Sequence, residues 1–277
     1  MKKSVKFGLA AAAVAAAAYP ALLACRRKNG TWPLLEGWRY AHRGLHDAAQ
    51  GIPENSMTAF RRAVEHGFGA ELDVHLLADG SLAVFHDSDL CRMTGREGKI
   101  EDLTAADLAA YRLDGTEETI PAFAEVLALF EAAKLPLIVE LKCARGNHNE
   151  LTRAAVELLD RYNIDYCMES FDPRVLFWLK KNRPEIVRGQ LACRYEQVEG
   201  GPRPLLGHCL QNLLGNGATQ PDFIAYCWED RGNLSLRLCK KLYNVHTVYW
   251  TVRSEEEMLQ AERDGAQVIF EGFTPRA

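Results

Sequence analysis

Strand-length apolar runs alternate with helix-length amphipathic runs from residue 38 to residue 271, and this constrains the fold more than any other feature of the chain. Strands are predicted at "WRYAH" (38–42), 69–77, 135–142, 165–170, 186–191, 222–227, 245–252 and 266–271. "LPLIVELK" (135–142) is apolar almost throughout, as in a strand buried on both faces of a parallel sheet. Asp79-Gly80 turns the second strand into a hairpin over 69–87. Helices are predicted over 55–67, 103–111, 121–134 (with Pro121 in its first turn), 150–162, 173–182, near 204–214, 233–243 and 254–265. Eight principal strands with intervening helices predict a single parallel (β/α)8 barrel, which the 277 residues accommodate. An open doubly wound sheet ordinarily carries a first turn such as GxGxxG, and none follows the first strand.

Residues 1–28 stand apart. Lys2, Lys3 and Lys6 precede an uncharged run over 7–24, followed by Cys25, Arg26, Arg27 and Lys28. Eighteen residues at about 1.5 Å each reach roughly 27 Å, just enough for a bilayer core. Ten of the eighteen are alanine, which weakens the insertion signal. The expectation is a membrane anchor or signal segment (1–28), a linker (29–37) and a barrel domain (38–277). "LLAC" (22–25) has the form of a lipoprotein cleavage box, and a cleaved secretory signal is the further alternative. Basic residues on both flanks leave orientation open. The seven cysteines beyond Cys25 are scattered and lack CxxC spacing, against a disulfide framework or a zinc site. Free thiols favour a cytoplasmic catalytic domain. With 33 basic and 37 acidic residues and a net charge of −4, nothing points to nucleic acid as a partner.

The chemistry sits where strands end. His42 and Arg43 close the first strand. Glu71 and Asp73, at i and i+2, share one side of the second. His86 ends the hairpin strand, and Glu140 and Lys142 repeat the i, i+2 pattern on the next. Trp250 and Glu271 lie near the ends of the last two strands. Carboxylates converging in a barrel repel one another unless a hard cation joins them, so one Mg²⁺ or Ca²⁺ held by Glu71, Asp73 and Glu140 is expected. Arg43 and Lys142 suit a phosphate. Two histidines can accept and donate a proton near neutral pH. Together these describe phosphodiester cleavage. Singly, each has a plainer reading: His42 or His86 as structural residues, Glu71 with Lys142 as a buried ion pair, Glu54 as a loop brace. His46, His66 and His75 are read as structural or surface residues.

"HRG" (42–44), "PENS" (53–56), "ELDV" (71–74), "FHD" (85–87), "ELK" (140–142), "ESF" (169–171) and "WTV" (250–252) resemble the glycerophosphodiester phosphodiesterases, in order and spacing, from about residue 40 to 272. The resemblance implies a barrel with a small insertion after the second strand (88–120 here). It implies catalytic roles for His42 and His86, metal ligands at Glu71, Asp73 and Glu140, and phosphate contacts from Arg43 and Lys142. Glu54, Trp250, Arg253 and Glu271 are accessory candidates. The implied reaction is metal-dependent hydrolysis of glycerophosphodiesters to glycerol 3-phosphate and an alcohol, through attack of the substrate's own glycerol hydroxyl. A lysophospholipase D or other phospholipid phosphodiesterase is the alternative, and an inactive lipid-binding barrel a further one. A membrane lipid surface is the expected partner besides the substrate. Departures from the pattern fall at the mouth. Ser56 stands where the family usually has Thr, Arg253 where Asn is common, and Phe270-Glu271 where Thr-Asp is frequent.

Overall fold

The computed structural model describes residues 18–26, 36–195 and 203–276. Among these, nine strands form one sheet: β1 (Arg39–His42), β2 (Gly69–Leu76), β3 (Leu82–Val84), β4 (Leu137–Leu141), β5 (Tyr166–Ser170), β6 (Arg188–Ala192), β7 (Phe223–Cys227), β8 (His246–Val252) and β9 (Gln267–Phe270). All but β3 are parallel and close into a ring, with β1 paired to both β2 and β9. β3 pairs antiparallel with β2 outside the ring, Val74 opposite Val84, as the Asp79-Gly80 turn predicts. The fold is therefore the expected (β/α)8 barrel.

The helices are α1 (Met57–Glu65), α2 (Cys91–Thr94), α3 (Phe123–Ala133), α4 (His148–Leu159), α5 (Pro173–Asn182), α6 (Pro204–Gln211), α7 (Asn216–Thr219), α8 (Leu234–Tyr243) and α9 (Glu255–Arg263). Side-chain caps start several of them. Ser56 accepts from the Ala59 amide, Asn233 from those of Ser235 and Leu236, and Ser254 from that of Glu257. The expected helix at 103–111 is replaced by a short 3₁₀ turn at Leu108–Ala110. Asp107 accepts from both the amide and hydroxyl of Thr104, a local bond that competes with helix. Pro121 also falls outside its predicted helix. Its carbonyl accepts from Val84 and Ala122 bridges Ala83, so α3 begins only at Phe123.

Period-2 alternation layers the barrel interior. Tyr40, Ile138, Cys167 and Ile269 point inward as one buried apolar layer. Two residues further along the same strands come His42, Glu140, Glu169 and Glu271. Burying each large apolar side chain contributes about 1.5–3 kcal/mol, so this floor is also a stability element. Two larger apolar clusters fill the space between strands and helices.

Residues 18–26 pack against the barrel. Leu23 is fully buried and Cys25 nearly so. Among the described residues all eight cysteines are free, and no helix is long and apolar enough to cross a membrane. The rest of the predicted anchor and most of the linker lie outside the described residues.

Candidate active site

Strand register carries the polar residues to one end of the barrel. His42 is level with Glu71, Asp73 with Glu140, and Glu140 with Glu169. This is the carboxyl end of the strands, where (β/α)8 enzymes place their chemistry. The "HRG" stretch bends sharply there. Arg43 has a left-handed backbone (φ 52°), and Gly44 follows at φ 78°. A Cβ on Gly44 would lie 2.9 Å from Ala59 of α1, so only glycine lets the loop pass this close.

A cavity of about 270 Å³ opens at this end. His42, Arg43, Glu54, Glu71, His86, Glu140, Lys142, Trp250, Arg253 and Glu271 line it, and Asp73 is buried beneath. All the residues singled out from sequence are thus brought together. A larger cavity of about 720 Å³ opens at the opposite end, between Glu36, Trp38, His66, His246 and Gln267, with no comparable carboxylate cluster among the described residues.

His42 Nδ1 donates to Glu271, and its Nε2 lies 3.9 Å from Glu71. Burial lowers the His42 pKa to about 4, against the raising effect of the Glu271 bond, so the ring is neutral near pH 7 with Nε2 free to accept. Glu271 is held at about 2, first by that same bond. His86 Nδ1 donates to Asp87 at 2.6 Å. Burial, then the Lys142 charge, lowers the His86 pKa as well.

The carboxylates fit a hard cation. Glu71, Asp73 and Glu140 offer oxygens within 4.8 Å of one another. Burial and then the neighbouring carboxylates push Glu71 well above the usual range. Burial lifts Glu140 to about 7, although Lys142 opposes the shift. Asp73 is ionised: burial would raise its pKa, but Lys142, His86 and Arg43 outweigh it and hold it well below the carboxylate norm. Lys142 Nζ lies 2.9 Å from Asp73 and 2.7 Å from Glu140. An all-oxygen donor set whose mutual repulsion Lys142 and Arg43 offset mainly at Asp73 and Glu140 suits Mg²⁺ or Ca²⁺. His42, His46 and Glu271 form a second close group, but there the His42 ring already donates to Glu271.

Several members had no prior assignment. Asn55 donates to Asp73 at 2.8 Å. Arg92, on α2 of the insertion, reaches Glu54 at 2.6 Å and Asp87 at 2.5 Å, while Glu54 also accepts from Arg43 at 2.9 Å. Glu54 therefore braces two arginines. Glu169 is buried, with one oxygen lacking a hydrogen-bond partner, and burial, then Glu140, holds its pKa well above the usual range. Its place at a strand end, level with Glu140, was the available sequence signal. Of the histidines read as structural, His75 is buried between Glu101 and the His86 carbonyl, tying the insertion to β2. His66 is exposed, whereas His46 sits 4.0 Å from Glu271 at the edge of the site.

Residues 42–273 match the model of the glycerophosphoryl diester phosphodiesterase family. The chain belongs to this family. It is 32% identical over 162 residues to a glycerophosphodiester phosphodiesterase of Caldanaerobacter subterraneus, covering 54% of this chain and 65% of that one. It is 34% identical over 135 residues to one from Bacillus altitudinis, covering 46% and 54%. A Homo sapiens protein named lysophospholipase D is 32% identical over 161 residues, covering 53% and 48%. The chain thus spans about half to two-thirds of the length of these curated relatives. A phosphodiesterase of Oleispira antarctica, solved in complex with the product sn-glycerol-3-phosphate, superposes with a TM-score of 0.69 at 23% identity, over 84% of this chain and 92% of that one. A glycerophosphodiester phosphodiesterase of Parabacteroides distasonis gives 0.65 at 23%, with the same coverage. These two likenesses establish the shared fold. Within the family pattern, the unusual Glu271 is the partner of His42, and Arg253 stands at the rim, 4.0 Å from Glu271.

Proposed function

We propose that this chain hydrolyses glycerophosphodiesters to glycerol 3-phosphate and an alcohol, with a divalent cation in the site. The observation that carries this reading is the meeting of His42, His86, Arg43 and Lys142 with three convergent carboxylates around one cavity. A cation held by Glu71, Asp73 and Glu140 would supply positive charge against the phosphate oxygens. Arg43 and Lys142 add positive charge at the same place, each just beyond a strand end and held by an ion pair to Asp73.

The two histidines divide the proton transfers. One takes the proton of the substrate's free glycerol hydroxyl as that oxygen attacks phosphorus. The other starts the cycle as the imidazolium and gives its Nε2 proton to the alcohol oxygen as that oxygen's bond to phosphorus breaks. Water then opens the cyclic phosphodiester with the roles exchanged, and the proton count is restored. Glu271 and Asp87 hold the imidazoles with Nδ1 protonated, which leaves Nε2 of each for the substrate. The apolar floor under the site limits water behind the phosphate.

The test is turnover by the full chain on glycerophosphocholine beside lysophosphatidylcholine, with and without EDTA and added Mg²⁺ or Ca²⁺. Release of glycerol 3-phosphate that EDTA abolishes is the expected result. His42→Ala and His86→Ala should each lower turnover roughly 100-fold or more while the far-UV spectrum is kept. Full activity in excess EDTA, with no metal by elemental analysis, would overturn the metal assignment. Turnover of the lysolipid alone would replace the substrate assignment.

A further inference from the structure

Every nitrogen of the Arg92 guanidinium has a partner. Nε donates to Asp87 Oδ2 at 2.5 Å, Nη2 to Glu54 Oε1 at 2.6 Å and Nη1 to Met93 Sδ at 3.1 Å. Both carboxylates hold a second group. Asp87 Oδ1 accepts from His86 Nδ1 at 2.6 Å, and the same Glu54 oxygen accepts from Arg43 Nη1 at 2.9 Å. Arg43 Nε in turn faces Asp73 at 3.4 Å. One guanidinium therefore stands in the middle of a run of charge, from His86 through Asp87, Arg92 and Glu54 to Arg43. The two ends of that run are a histidine placed for proton transfer and an arginine placed for a phosphate.

His86, Glu54 and Arg43 line the cavity, and Arg92 does not. Its side chain is 48% exposed, against 15% for Glu54 and 24% for Asp87. The insertion fixes its backbone. Arg92 lies in α2 between Leu90 and Met93, which are buried with Phe85, Ile100 and Leu103 in one apolar cluster. The Thr94 amide donates to the Leu90 carbonyl, and the Leu90 amide to the Gly98 carbonyl, so the turn is closed around Arg92. The guanidinium is thus delivered by residues 88–120 and not by a barrel strand.

A half-exposed ion pair adds little to stability by itself. Its consequence here is geometric. Burial would raise the Glu54 pKa, but the Arg92 bond and the Arg43 charge outweigh it and lower it. Burial would likewise raise that of Asp87, and the His86 and Arg92 bonds hold it well below the usual carboxylate range. Both groups are therefore ionised near neutral pH, side by side on one planar cation. Without that cation they repel. Movement of Asp87 frees the His86 ring, and movement of Glu54 frees the Arg43 fork. Only a planar fork holds two carboxylates in fixed directions; a lysine is a point charge.

We propose that Arg92 is a positioning residue for the reaction: it sets the His86 ring through Asp87 and the Arg43 fork through Glu54, so that the insertion supplies one part of the working site. The two arms have different kinetic signatures. His86 acts in the chemical step, so the Asp87 arm is read in kcat. Arg43 holds the phosphate of the bound diester, so the Glu54 arm is read in KM. These kinetic effects rest on the proposed phosphodiesterase activity; the placement of the His86 ring does not, and is read without turnover.

The experiment compares glycerophosphocholine hydrolysis by the full chain and its variants. Arg92→Gln should lower kcat about tenfold or more and raise KM severalfold, with the Tm close to that of the wild type. Arg92→Lys should recover only part of the loss. In an Asp87→Asn background the kcat effect of Arg92→Gln should disappear while the KM effect stays. Because the Arg92 side chain is half exposed, guanidinium ion at millimolar concentration should restore turnover to Arg92→Ala, where sodium chloride of equal ionic strength does not. Independently of turnover, the His86 Nδ1 proton, assigned by its loss in His86→Ala, should give a resolved NMR signal that broadens or vanishes in Arg92→Gln. Wild-type kcat and KM for Arg92→Gln would overturn the proposal. So would an undiminished kcat effect in the Asp87→Asn background, an unchanged NMR signal, or a loss of Tm that neither Arg92→Lys nor guanidinium repairs, which would make Arg92 a residue of the fold alone. If the wild-type chain releases no glycerol 3-phosphate, the activity reading fails, and the NMR signal by itself decides whether Arg92 places His86.

Discussion

The Glu271 carboxylate accepts the Nδ1 proton of His42, joining the last strand of the barrel to the first across 229 residues of sequence. The bond favours the tautomer with Nε2 facing the carboxylate cluster, and it raises a pKa that burial lowers. Glu271→Gln keeps a hydrogen-bond acceptor but removes the charge. We expect turnover to fall about tenfold or more with KM little changed, by analogy with triads that lose their orienting carboxylate. Because the lost charge had favoured imidazolium, the limb of the pH–rate profile that reports His42 should move to lower pH. Glu271→Asp should recover part of the rate. An unchanged profile for Glu271→Gln would reduce Glu271 to a packing role.

Cation binding should release protons in the neutral range. Without a cation, Glu140 titrates near 7, because burial disfavours its charged form. The cation takes only the ionised form, so proton occupancy competes with it. As pH falls from 8 to 6 (roughly one unit either side), that occupancy rises and apparent affinity should fall. Calorimetry of Mg²⁺ or Ca²⁺ binding in buffers of differing ionisation enthalpy measures the release directly. No buffer dependence at pH 6 would show that Glu140 is already ionised or is not a ligand.

Lys142 should matter most to the cation-free protein. It lies between Asp73 and Glu140, which would otherwise face each other uncompensated. Breaking a buried pair by removing one partner costs about 3–5 kcal/mol. Lys142→Met should lower the Tm strongly in EDTA and much less with the cation present. Equal losses in both conditions would mean that Lys142 supports the fold in some other way.

Removal of residues 1–28 should destabilise the barrel where removal of 1–17 does not. The longer cut uncovers the Leu23 site and leaves Asp222 without Arg26. Loss of a buried leucine alone costs about 2–5 kcal/mol. Chemical denaturation of the two truncated chains against the full chain reads the difference. Equal stability would show that the docked segment adds nothing to the fold.

The sequence by itself determined the fold class and most of the site. Apolar runs with two-residue periodicity marked the strands, and a charge on such a run, as at Glu71, Asp73 and Glu140, has few explanations other than a site. Local chemistry was read less well: the 103–111 helix gave way to the Thr104–Asp107 turn, and Pro121 went to an irregular bridge. Only the tertiary structure decided which distant groups meet. Glu271 with His42, Arg92 with Glu54 and Asp87, and Asn55 with Asp73 depend on ring closure and on the path of the insertion, which no local period encodes. The same holds for residues 18–26. Their hydropathy is that of a membrane segment and equally that of a buried one, because bilayer and protein core select the same apolar side chains. The groove beside Gly217, formed by elements some two hundred residues away, makes the choice.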